Sequence, residues 1–359
     1  MVKFREELKE LKAYKPGKPI EDVKREYGLK EVIKLASNEN PMGTSPKVVE
    51  KLKKAVENLA IYPDGNSTLL KEALAKKLNL NPNQILPSSG SDEMVDMISK
   101  TFVDKGDEVI MADITFPRYI TTTIMMGGKP VVVPLKNLTY DLDGMLKKIN
   151  KNTKLIWLCN PNNPTGTIFN ENELLNFLEK VPEYIIVVYD EAYREYVTDE
   201  NYPMNTLNLL NKYNNLIIMR TFSKMYGLAA LRVGYTMASE EIINNINKIR
   251  GPFNVNKLAQ IAAIEALNDE QFVKECYEIN KSGKQYLYKE FDTLGLYYAP
   301  SETNHIFVNV DKDSNEVFVE LQKRGMIIRP FHDNWIRVTI GTMEQNKLFI
   351  DLLKEVLKK

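Results

Sequence analysis

The chain predicts an α/β fold: a mainly parallel sheet covered by helices on both faces, with a smaller α+β unit joined to it. Three observations carry that expectation. Between about residues 85 and 237, near-continuous apolar runs alternate with helical patterns, as strands buried on both faces do. Most of those runs end in turns that carry polar residues, which is where open parallel sheets bind ligands. From about residue 255 the texture changes to a long helical stretch followed by short strand-like segments.

The elements follow in order. Residues 3 to 12 and 20 to 27 predict two short charged helices, and KLASNENPMGTSP (34–46) begins strand-like and ends in Asn-Pro and Met-Gly turn chemistry. A helix is expected from Pro46 to Leu59, with Val48, Val49, Leu52, Ala55, Val56 and Leu59 at helical spacing. YPDGN (62–66) is a turn, and LLKEALAKKL is a helix. ILPSSG then leads into a helix that opens on Ser91, Asp92 and Glu93. EVIMAD, KPVVVPL, KLIWLCN, YIIVVYD, NLIIMRT and LRVGYTMA are strands. FPRYITTTIMM, LDGMLKKI and NENELLNFLEKV are helices among them, the last capped by Asn170 with Glu173 three residues on. Residues 256–290 predict one long helix, TNHIFVNV, MIIRP and WIRVTIG three strands, and 343–357 a final helix. The expected division is an N-terminal arm with part of the small domain (1–40), a large domain (41–254) and a C-terminal small domain (255–359). No internal repeat or low-complexity tract interrupts it.

Composition narrows the function. With 359 residues the chain has room for two domains and a full core. Lys+Arg and Asp+Glu both number 48, so no electrostatic excess is available for nucleic acid. Two histidines argue against a histidine-rich metal site. Two cysteines far apart in sequence suggest no disulfide framework and a reducing cytoplasm. No apolar run approaches membrane-spanning length, and the charged first thirty residues lack the apolar core of a secretion signal.

The most informative run is TFSKMYGLAALRVGY, residues 221 to 235. Lys224 lies beside Ser223, Thr221 and Arg232, the set needed to hold a phosphorylated aldehyde cofactor. The amine forms an imine with the aldehyde, and the hydroxyls and guanidinium bind the phosphate. Desolvation and a nearby cation lower a lysine pKa enough for that attack. Other segments supply the remaining parts. The helix after Gly90 offers free backbone N–H groups at Ser91 and Asp92 for a phosphate. Asp190, ending YIIVVYD, would pair with a protonated ring nitrogen and keep the ring an electron sink. Tyr193 and Asn163 would hydrogen-bond the ring's phenolic oxygen, and Phe116 could stack on its face. Singly, each has an ordinary alternative as a cap or core residue. Jointly, their order along successive strand ends points to one site.

These residues, with KLASNENPMG, YPDGN, GSDE, NPNNPTG, YDEAY and IRVTIGT, make the chain resemble the fold-type I pyridoxal-phosphate enzymes, and among them the histidinol-phosphate aminotransferases. The motifs run nearly end to end. The resemblance implies the PLP-dependent transferase fold, a sheet of the seven-stranded type, pyridoxal 5'-phosphate as cofactor and a homodimer with shared sites. It makes Lys224 the imine lysine and proton shuttle. It implies that Tyr62 reaches the cofactor phosphate from the partner subunit and that Arg337 grips a substrate α-carboxylate, for which a planar fork is suited. Tyr14 and Arg329 are implied for the substrate's own phosphate, and Asn38 or Glu39 for the substrate side. Two departures fall near that pocket: the 331–334 segment is short, and His305 stands where an apolar residue is common.

The expected reaction is transfer of an amino group from histidinol phosphate to 2-oxoglutarate, in ping-pong order, as a step of histidine biosynthesis. An aromatic amino acid aminotransferase is the nearest alternative and would need an apolar distal pocket. A lyase such as a phospho-amino-acid decarboxylase, and a non-catalytic binding module, are the others. The retained lysine and complete ring-holding set argue against the module.

Overall fold

Residues 2–13 and 17–358 are described in a computed structural model of the chain. A 3-10 turn at Glu6–Glu10 stands where the first helix was expected. It buries no side chain, so no apolar face holds a longer helix there. Helix α1 (Ile20–Tyr27) leads to strand β1 (Ile33–Lys34) and then to α2 (Pro46–Ala55) and α3 (Thr68–Leu78). α2 stops short of the expected Leu59, and Val56 and Leu59 are exposed.

The alternation then begins with β2 (Ile85–Ser88), α4 (Gly90–Phe102), β3 (Glu108–Ala112), α5 (Arg118–Met125) and β4 (Lys129–Val133). It continues through α6 (Leu142–Lys148), β5 (Thr153–Cys159), α7 (Glu171–Lys180), β6 (Ile186–Asp190) and β7 (Leu216–Thr221). Asn170 and Glu173 form the expected reciprocal cap of α7. β8 (Gly234–Met237) and α8 (Glu240–Asn247) precede α9 (Lys257–Leu267) and α10 (Glu270–Leu294). Last come β9 (His305–Asn309), α11 (Ser314–Lys323), β10 (Met326–Ile327), β11 (Arg329–Pro330), β12 (Trp335–Thr339) and α12 (Met343–Leu357).

The seven-stranded sheet has the order β2-β8-β7-β6-β5-β3-β4. Only β8 runs against its neighbours, so β2 points the same way as the parallel strands. Their carboxyl ends therefore share one edge. The β7–β8 connection leaves from that edge at Thr221 and returns at Gly234, its registered partner. Lys224 and Arg232 are both on this connection.

A second, antiparallel sheet has the order β11-β12-β9, and β1 pairs in parallel with β10. In the three-stranded sheet Arg329 faces Arg337, which faces Phe307; Thr339 faces His305. Alternate residues Ile306, Val308, Ile336 and Val338 point the other way into a second core, with Leu35, Leu287 and Phe291.

Helix α9, just after the expected division at residue 254, packs on the large sheet. Ala259, Ala262, Ala263, Ala266 and Leu267 of α9 lie in the core of the large sheet. The helix expected over 256–290 breaks at Asn268 and Asp269. Asp269 is held there by Ser45 Oγ at 2.5 Å and Lys47 Nζ at 2.7 Å. α10 then carries the chain into the second core. Among the described residues no helix is long and apolar enough to cross a membrane.

Candidate active site

One end of the site is built for an anion. α4 begins at Gly90, and Ser89 supplies no side-chain cap, so the first amides of the helix are left for another acceptor. Gly90 has φ +78°, and a Cβ there would lie 2.5 Å from Arg232 Nη2. The glycine lets the guanidinium lie against the start of the helix. Arg232, itself left-handed at φ 55°, donates from Nη1 to Ala229 O at 3.1 Å and from Nη2 to Asp92 Oδ2 at 3.3 Å. Ser223 Oγ lies 3.5 Å from Arg232 Nη1, and the Ser223 amide donates to Thr221 Oγ1 at 3.1 Å. Cation, hydroxyls and helix N-terminus converge at this end of the cavity.

The opposite part of the cavity, about 390 Å³ in volume, is lined by Asp190, Asn163, Tyr193, Phe116 and Lys224. β6 delivers Asp190 almost wholly buried. Tyr119 Oη donates to its Oδ2 at 2.7 Å and the Ala192 amide to its Oδ1 at 3.0 Å. Burial pushes this carboxyl up to about 6, against the pull of those two hydrogen bonds. A ring N–H cation beside it would favour the carboxylate further.

Lys224 Nζ donates to Ser37 O at 3.1 Å and lies 5.7 Å from the centre of the Tyr193 ring. Desolvation, then the positive charge of Arg337, lowers its pKa to about 8. About a tenth is thus a free amine at pH 7, far more than for an ordinary lysine. Burial pushes the Tyr193 hydroxyl up to about 12, so it stays protonated.

The substrate side is drawn from both chain ends. Arg337 donates from Nη1 to Asn163 Oδ1 at 2.6 Å and from Nη2 to Ala36 O at 2.7 Å. Its guanidinium carbon lies 5.9 Å from the Phe331 ring centre, so the short 331–334 loop packs an aromatic ring against it. Arg329 sits directly opposite on β11, and both arginines stand behind the residues that line the cavity, Arg337 reaching it through Asn163.

Asn38 is corrected: it is buried and does not line the cavity. At φ 57° it turns its side chain inward, donating from Nδ2 to Tyr193 Oη at 2.9 Å and accepting from Thr339 Oγ1 at 3.2 Å. Its neighbours Ser37 and Glu39 line the cavity instead. His305 is fully buried, with Nδ1 3.0 Å from Thr303 Oγ1 and its ring 5.1 Å from that of Tyr193. Burial, then Arg337 and Lys224, keeps it neutral, so it packs and does not titrate near neutrality. Tyr62 is 78% exposed, stacked on Phe253 with ring centres 4.6 Å apart, and does not reach the cavity of its own chain. Tyr14 lies outside the described residues.

Sequence reasoning missed Tyr119 and Cys159. Cys159 ends β5 in register with Asp190 and lines the cavity floor, a position that follows only from strand pairing. Tyr119 had a signal in FPRY, three residues after Phe116, but its acceptor lies 71 positions away.

The residue set fits pyridoxal phosphate: an uncapped helix start and arginine for the phosphate, a buried carboxylate for the ring nitrogen and a depressed lysine for the aldehyde. Comparison with known proteins agrees. Residues 30–353 match the family model for aminotransferase class I and II. A histidinol-phosphate aminotransferase from Caldicellulosiruptor saccharolyticus is 51% identical over 99% of this chain and 100% of its own length. One from Moorella thermoacetica is 49% identical over 99% of this chain and 93% of its own length. The crystal structure of histidinol-phosphate aminotransferase from Sinorhizobium meliloti, in complex with pyridoxal-5'-phosphate, superposes with a TM-score of 0.91. It is 28% identical and covers 100% of this chain and 98% of its own.

Proposed function

The chain belongs to the aminotransferase class I and II family, and from that premise we propose that it moves the amino group of histidinol phosphate to 2-oxoglutarate, giving imidazole acetol phosphate and glutamate in histidine biosynthesis. The observation that carries the substrate assignment is the cation pair Arg329 and Arg337, directly opposite across β11 and β12. Like charges so placed destabilise a sheet unless an anion lies between or above them. Histidinol phosphate carries a phosphate where an amino acid carries its carboxylate, and 2-oxoglutarate carries two carboxylates. A paired, planar cation site serves both. An aromatic donor would leave the second guanidinium unused.

Pyridoxal phosphate supplies an aldehyde that captures the donor amine and a cationic ring that takes up electron density from the bond that breaks. The chain supplies the rest. Arg232, Ser223 and the start of α4 fix the phosphate end. Asp190 holds the ring nitrogen, and Asn163 and Tyr193 hold the oxygen opposite. Arg337, tied to Asn163, places the donor so that its Cα–H meets Lys224 Nζ. The lowered pKa of that amine lets it take the Cα proton near neutral pH and give it back as an acid.

A closed two-fold dimer is part of the same proposal. Leu59, Ile61, Tyr62 and Phe253 are all exposed apolar side chains, and the last two stack on each other. A second copy would cover them and bring Tyr62 of the partner subunit to the phosphate end.

The test is kcat/KM for histidinol phosphate against phenylalanine and tyrosine, in wild type and Arg329→Ala. Loss of one charge-assisted contact, about 1.5–3 kcal/mol, should lower the histidinol phosphate value by about 10- to 150-fold and leave aromatic donors within about threefold. Wild-type preference for an aromatic donor would overturn the assignment.

A further inference from the structure

We propose that Tyr119 is a positioning residue for Asp190: its hydroxyl donates to Oδ2 and so keeps the carboxylate ionised and aimed at the cofactor's ring nitrogen. The proposal rests on the reading of Asp190 as the ring-nitrogen partner.

Each oxygen of Asp190 accepts one hydrogen bond from the protein, Oδ1 from the Ala192 amide and Oδ2 from Tyr119 Oη. A carboxylate has about four acceptor directions, so room remains for one more donor from the cavity. The two protein bonds fix the plane of the carboxylate before any cofactor arrives. The tyrosine is fixed in turn. It is fully buried, its ring is stacked on Trp157 at 4.4 Å and 7°, and Phe116 meets its edge at 5.5 Å. Phe116 also lines the cavity. One short segment, Phe116 to Tyr119, thus supplies both a face for the ring and a donor for the carboxylate behind it.

The bland alternative is a core tyrosine whose hydroxyl needed any acceptor. The neighbouring buried tyrosines solve that problem with neutral groups: Tyr202 donates to the Asn160 carbonyl, and Tyr189 accepts from the Asn160 amide. Tyr119 donates to the one carboxylate at the site that is buried against desolvation. The other titratable groups around Asp190 are Tyr140, Cys159, Glu191, Tyr193 and Asp92. None of these donates a hydrogen bond to it. Removing the Tyr119 hydroxyl therefore leaves burial and the negative Glu191 and Asp92 opposed by a single backbone amide.

The experiment compares wild type, Tyr119→Phe, Asp190→Asn and the double variant as full-length protein. Phenylalanine keeps the stack on Trp157. The readout is the pyridoxal phosphate dissociation constant from pH 5 to 8.5, followed by absorbance of the bound cofactor. Tyr119→Phe should move the acid limb of affinity upward by about one pH unit. In the Asp190→Asn background, adding Tyr119→Phe should change the constant less than about twofold. An acid limb unmoved by Tyr119→Phe would overturn the proposal, as would an equal loss of affinity in the Asp190→Asn background, which a purely structural tyrosine would give. Asp190→Asn with wild-type affinity at every pH would instead remove Asp190 from cofactor binding and take the proposal with it.

Discussion

Replacing Gly90 with alanine tests the anion site through a single methyl group. At φ +78° an L-residue costs about 1–2 kcal/mol of backbone strain. The added Cβ would stand 2.5 Å from Arg232 Nη2 and 3.0 Å from Cζ. Carbon and guanidinium need about 3.5 Å, so the head group must retreat by about 1 Å. That retreat is possible because it is the end of a flexible side chain. It also takes the cation from the place where it meets the phosphate, at the start of α4 beside Ser223. Loss of a charge-assisted contact amounts to about 1.5–3 kcal/mol, so the pyridoxal phosphate dissociation constant should rise about 10- to 150-fold. The empty protein should lose only the strain, measurable by urea unfolding. Equilibrium binding, followed by cofactor absorbance, gives the first number. Arg232→Ala should weaken binding comparably, and Gly90→Ala should add little to it. Affinity within about threefold of wild type in Gly90→Ala, alongside a large loss in Arg232→Ala, would refute the reasoning, because the two groups would then not share one space.

Three other expectations follow from the site. Cofactor attachment to Lys224 should slow about tenfold per pH unit below pH 8 and level off above it, since only the neutral amine attacks. Arg337→Ala should shift that midpoint upward, toward the ordinary lysine value; a wild-type midpoint near 10 would contradict the role of burial. Asp190→Ala should lose most of its kcat with little change in substrate KM, and near-normal kcat would take it out of the mechanism. Tyr62→Ala and Lys224→Ala, each nearly inactive, should on unfolding and refolding together recover about a quarter of wild-type activity, because half the dimers are mixed and each carries one intact site. No recovery would place Tyr62 in its own subunit's site, or nowhere in it.

The large domain was legible because most of its strands are apolar runs and most candidate site residues sit at or just after a strand's end. Asp190, Asn163, Thr221 and Lys224 needed no tertiary knowledge beyond the rule that parallel strands share an edge. The unit boundary was harder. α9 is alanine-rich, a pattern that gives no sign of which sheet it packs on, and the break at Asp269 depends on Ser45 and Lys47 from far upstream. Asn38 shows a second limit. The turn was visible in SNENP, but the left-handed φ that turns the amide inward to Tyr193, and leaves Ser37 and Glu39 on the wall, was not. Tyr119 and Cys159 show a third: partners distant in sequence are set by register, which one chain's pattern does not reveal.

The pairing of β1 with β10 also has a consequence in time. Ile33 finds Met326 only after about 290 further residues have been added, which at about 5–20 residues per second takes roughly 15–60 seconds. During that interval the large sheet, whose strands and phosphate-holding groups lie between residues 85 and 237, already has all its parts. Asn38 is made before the large sheet, yet its anchors Thr339 and Asn304 follow that sheet in the chain. The growing chain thus completes the half that grips the cofactor well before the half that admits a substrate.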